Sequence, residues 1–206
     1  MNTDGQSARD DLAFLRTLVG GDENLQMRTF GEVYFIAGLI YGGQMLLHAA
    51  QAMGLLPGAG AVALAIGLGP TVLFIPVLVR ILYRDRRNPI RGAVGRAIAS
   101  IFSALGLANL VLIVVIGSLA LHQHSLQTWL LYPCTIFILQ GAAWMFTYMM
   151  RRHAWHLAVA LGWFVLAVAA GLSIPSLPYF ILFVGLGLWA CMALPGYVLL
   201  RRAGRD

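Results

Sequence analysis

After residue 29 the chain alternates between long apolar runs and short polar breaks, six times over. The runs are Phe30–Met53, Ala61–Tyr83, Ala97–Leu121, Thr128–Met150, Ala154–Leu172 and Leu177–Leu200, the fifth being the shortest. About 20 apolar residues in a helix cross the ~30 Å hydrocarbon core of a bilayer. One such run could be the centre of a soluble helical domain, but the few polar residues of this chain could not shield six from water. Lipid tolerates only backbone whose hydrogen bonds are closed internally. The pattern therefore predicts an all-α protein, a polytopic membrane bundle of six transmembrane helices in three hairpins over residues 30–200.

The pattern before residue 30 is different. SARDDLAFLRTLVGG opens with Ser7 and, three residues on, Asp10, an N-cap arrangement. Leu12, Leu15 and Val19 recur at helical spacing, and Gly20-Gly21 closes the segment. A short amphipathic helix over about residues 8–20 is expected inside a polar leader, residues 1–29. No basic stretch precedes a short apolar core, so no cleavable signal peptide is read here. The leader is too acidic at its start to seek anionic lipid. Docking on the bundle, or binding a protein partner, is its expected role.

Composition strengthens the membrane reading. Hydrophobic residues make up 60% of the 206 residues and charged residues 11%, against about a quarter charged in soluble domains. The 23 glycines suit helices that approach closely in lipid. All fourteen basic residues are Arg, and the absence of Lys excludes Schiff-base chemistry. Cys134 and Cys191 fall at different depths on different helices, too far apart to pair, and read as buried thiols.

Charge sets the orientation. Leu55–Gly60, Leu121–Thr128 and Ser173–Pro178 carry no formal charge, whereas Tyr83–Arg96 carries five Arg, Arg151–His153 two, and the tail, residues 201–206, three. Strict alternation of this kind is the positive-inside pattern. It predicts cytoplasmic termini in a bacterial inner membrane. The arginine-rich connection belongs to that pattern and to headgroup contact. It lacks the interleaved aromatics a nucleic-acid site would want, and no nucleic-acid partner is expected.

Candidate chemistry is sparse. Glu32 reads as an interfacial ion pair with Arg28, Arg80 or Arg84. Tyr41, Gln44, His48 and Gln51 share one face of the first helix, and such a polar stripe must face protein, water or a ligand. With Asn109 and Gln140 they form the candidate cavity lining; interhelical hydrogen bonds are the structural alternative. His48, His122 and His124 lie at similar depth and are the candidate ligands of a metal or haem, although their spacing is not diagnostic. No other cofactor is indicated. Gly38 with Gly42, and Ser100 with Ala104 and Ala108, are small-residue stripes that permit close packing. Pro70, Pro76 and Pro195-Gly196 should bend or break their helices. A weak internal repeat lays Ala49–Pro70 over Ala167–Leu188, matching Gly67-Leu68-Gly69 to Gly185-Leu186-Gly187.

There is no nucleophile–base pair, phosphate loop or carboxylate pair, so an enzyme is not expected. Three functions remain. The first is a non-enzymatic sensor, regulator or assembly partner acting through helix contacts. The second is a small-molecule permease or channel built on the repeat of helices 1–2 and 5–6. The third is a haem- or metal-binding protein.

Overall fold

The computed structural model describes residues 23–86 and 92–204, with side chains from residue 27 onward. The expected leader helix near residues 8–20 lies outside the described residues. Every element among the described residues is helical: α1 (Glu23–Ala52), α2 (Gly60–Asp85), α3 (Ala93–Gln123), α4 (Leu126–Arg151), α5 (Ala154–Ser173) and α6 (Leu177–Ala203). Within α6 a π-helical turn, Trp189–Ala193, joins Leu177–Leu188 to Leu194–Ala203. Each of the six is long and apolar enough to cross a membrane, which makes this a multi-pass membrane protein.

Close packing runs in the spatial order α2, α1, α6, α5, α4, α3. The tightest pairings are α4 with α5 and α1 with α6, so the first and last helices are close neighbours. Contacts across each pair run in opposite residue order. Gly31 meets Leu199, Gly38 meets Ala193 and Gly42 meets Trp189, as antiparallel helices require.

Glycine is what lets α1 and α6 come together. A Cβ at Gly38 would sit 2.8 Å from Ala193 Cα, and one at Gly196 would sit 2.7 Å from Phe35 Cα. Between membrane helices close van der Waals contact replaces the hydrophobic drive, because lipid is as apolar as the side chains. The expected Gly38/Gly42 stripe is thus in use. The Ser100/Ala104/Ala108 stripe is not the close-packing surface of α3: Ser100 and Ala104 are exposed. The helix instead meets α4 through Asn109, bonded to Tyr132, and Gly117, against Trp129.

The core lies among α1, α4, α5 and α6, with Trp144 and Trp163 as its largest fully buried side chains. Among the described residues α2 buries Ile66 and Ile81 and α3 buries Gly95 and Ile98. Pro70 and Pro76 do not interrupt α2. In α6 the irregularity falls just before Pro195: Leu194 N–H bonds the Trp189 carbonyl, five residues back. The link from α3 to α4 is short because both ends are capped locally. His124 takes a left-handed φ of 48°, and Thr128 N–H donates to Ser125 Oγ at 3.2 Å.

Candidate functional site

The main polar centre of the bundle is built on Tyr34. Its position on α1 extends the polar stripe inward by seven residues from Tyr41, two helical turns along the same face. Tyr34 is 3% exposed. Its hydroxyl accepts a hydrogen bond from Trp144 Nε1 at 2.8 Å and donates to Gln140 Oε1 at 2.9 Å. The Trp163 indole also approaches this hydroxyl, but its buried Nε1 makes no bond of proper geometry. Phe30 and Phe102 pack around the centre, with ring centroids 4.5 Å apart. Both lone pairs of such a hydroxyl, and its proton, are committed or shielded, so the centre locks α1 to α4 instead of offering a reactive group.

Further along the stripe each polar side chain has a partner on the chain itself. Gln44, 9% exposed, donates through Nε2 to the Gly67 carbonyl of α2 at 2.9 Å. His48 Nδ1 pairs with Gln51 Oε1 at 2.8 Å, and Gln51 Nε2 donates to the Pro57 carbonyl at 2.7 Å. These bonds tie α1 to α2 and to the connection between them. Tyr41 stacks edge-on against Phe74 of α2, centroids 5.4 Å apart. Asn109 Oδ1 accepts from the Tyr132 hydroxyl at 2.6 Å, linking α3 to α4.

The six candidate lining residues therefore distribute over three interfaces. Gln140 joins Tyr34 between α1 and α4, Asn109 joins Tyr132, and Tyr41, Gln44, His48 and Gln51 serve α1, α2 and their link. Of the other two candidate ligand histidines, His122 Nδ1 donates to the Ser118 carbonyl at 2.8 Å and His124 caps α3. Among the described residues no group of three or more His, Cys, Asp or Glu side chains could hold a metal. Both cysteines are free thiols.

At the arginine-bearing end, Glu32 pairs with Arg84 through both terminal guanidinium nitrogens, Nη1 and Nη2. Arg84 is the partner, of the three arginines the sequence offered. Thr29 Oγ1 donates to Asp85 Oδ1 at 3.1 Å beside it. A second cluster stands where α4, α5 and α6 meet. Arg202 lies over the Trp155 ring, 5.0 Å from its centroid, and Arg201 over Tyr197 at 4.9 Å. The Trp155 and His156 rings lie 4.0 Å apart, tilted by 37°, and His156 reaches Trp144 at 5.8 Å.

Sequence reasoning missed Tyr34, Trp144 and the contact of Arg202 with Trp155. Heptad spacing could have recruited Tyr34 to the stripe; nothing along the chain pairs it with a tryptophan 110 residues away. No protein-family model, no curated protein and no solved structure matches the chain.

Proposed function

We propose that the chain is a non-enzymatic protein of the bacterial cytoplasmic membrane, acting as a sensor, regulator or assembly partner, with both termini on the cytoplasmic side. The observation that carries this reading is where the polar groups of α1 spend their hydrogen bonds. Gln44 and Gln51 bond backbone carbonyls of their own helical pair, and Tyr34 is closed between Trp144 and Gln140. A solute path needs polar groups turned toward water, and a reaction needs one turned toward a substrate. Fixed internal partners favour a scaffold that works through its outer surface. The arginines of alternate connections support the orientation.

The test has two parts. Reporter fusions at Gly58, His153 and Ser176 should alternate in compartment, His153 with the cytoplasm; two neighbours on one side would overturn the orientation. Photo-crosslinking from Leu68 and Val72 of α2 in living cells should trap a protein adduct of one defined mass, lost when residues 1–25 are removed. Adducts with lipid alone would defeat the contact reading.

A further inference from the structure

Charge is unevenly offset among the described side chains of the arginine-bearing end. Among the described side chains the acids are Glu32 and Asp85, and both are engaged across α1 and α2, with Arg84 and Thr29. The corner where α4 ends, α5 begins and α6 ends carries Arg151, Arg152, His153, His156, Arg201 and Arg202. Those three helices contain no Asp or Glu.

Beneath this charge lie two ring nitrogens with nothing to bond. His156 is 2% exposed and its Nδ1 has no hydrogen-bond partner; the buried Nε1 of Trp155 has none either. The two rings lie 4.0 Å apart and tilted by 37°, and the basic groups facing His156 are Arg151, His153 and Arg202. A buried polar atom without a partner costs about 1–3 kcal/mol, and the Trp155 N–H beneath a guanidinium is a donor that an oxyanion would satisfy. The cover is Arg202 itself, a long exposed side chain resting on Trp155. Its guanidinium, over the ring that carries this N–H, supplies a forked donor of phosphate geometry.

We propose that this corner binds the phosphate group of an anionic phospholipid headgroup. Depth selects the lipid as the source of that phosphate. The cluster sits at the terminus of three membrane-crossing helices, where headgroups lie, and Trp155 has the amphipathic ring that favours this level. The site holds the lipid against the α4–α5–α6 junction, directly below which His156 and Trp144 lead to the Tyr34 centre.

The full-length protein, purified in neutral detergent, is titrated with short-chain phosphatidylglycerol, with phosphatidylcholine of equal chain length and with inorganic phosphate, and bound molecules are counted by native mass spectrometry. Phosphatidylglycerol should be held about tenfold more tightly than phosphatidylcholine, and Arg202→Gln should abolish that preference. Trp155→Phe keeps the ring under Arg202 but removes the N–H, and should weaken binding about threefold to tenfold. Arg80→Gln removes one exposed charge of the same end from α2, outside the corner, and should change binding less than about twofold. Circular dichroism and a monodisperse elution profile confirm that each variant is folded. Equal losses from Arg80→Gln and Arg202→Gln would reduce the effect to general surface charge and overturn the site. Displacement of the lipid by inorganic phosphate at comparable concentration would overturn the lipid as its occupant, and an unaffected Trp155→Phe would overturn the role of the buried N–H.

Discussion

Helices α2 and α6 carry the same tripeptide, Gly-Leu-Gly, at residues 67–69 and 185–187, yet they occupy opposite positions in the packing. Gly185 lies against Leu46 of α1 and Gly187 against Leu166 of α5, whereas a Cβ at Gly67 or Gly69 would meet nothing within 4 Å. Phe180 and Val184 of α6 are 3% and 4% exposed; Leu68 and Val72 of α2 are 63% and 66%. A repeat-based transporter would place the two helices in equivalent surroundings. Here α6 is gripped by two neighbours and α2 packs closely on one. Apolar sequence commits a helix to the bilayer; small residues opposite bulky partners decide whether it enters the bundle.

Substitutions can break or sharpen this contrast. The largest effect is expected from bulk at the α1–α6 contact. Gly38→Leu has no room beside Ala193 and should cost at least about 3 kcal/mol or abolish folding. Gly67→Leu, facing open space, should stay within about 0.5 kcal/mol. Unfolding midpoints of the two variants in detergent would collapse the distinction if they moved together. Next comes Tyr34→Phe, which strands Trp144 Nε1 and the Gln140 carbonyl and should cost about 1–3 kcal/mol, with a changed Trp emission. Gln44→Leu frees the Gly67 carbonyl and should cost about 0.6–2 kcal/mol. Its signature is local: spin labels across α1 and α2 should broaden in distance while labels across α1 and α6 do not. Smallest is Glu32→Gln, whose Arg84 partner is half exposed; the loss should be no more than about 1 kcal/mol and should shrink as salt rises.

Periodicity carried the helices because lipid imposes a length and a polarity on each span, and those are local properties. Five of the six expected runs begin within four residues of a described helix, and α1 alone starts well before its run, at Glu23. The reason is amphipathic: residues 23–29 are polar enough to lie beyond hydrocarbon while continuing the same helix. Neighbour relations were not legible. The Gly38/Gly42 and Ser100/Ala104/Ala108 stripes look alike on paper, and only the first faces a partner. Likewise Gln44 and Gln140 announced themselves as polar groups in an apolar setting, but their partners, a backbone carbonyl and a tyrosine, emit no such signal.

The π turn of α6 gives the helix one surplus residue, held between two stretches that both grip α1. Deleting Ala190 would restore ordinary winding there and carry everything beyond it about 100° around the axis. Arg202 would swing off Trp155, and the stagger that seats Gly196 beside Phe35 would be lost. A single extra amino acid thus sets the angular phase of the whole carboxyl-terminal third of the last span, so length in this segment is as much a part of the molecule's specification as identity.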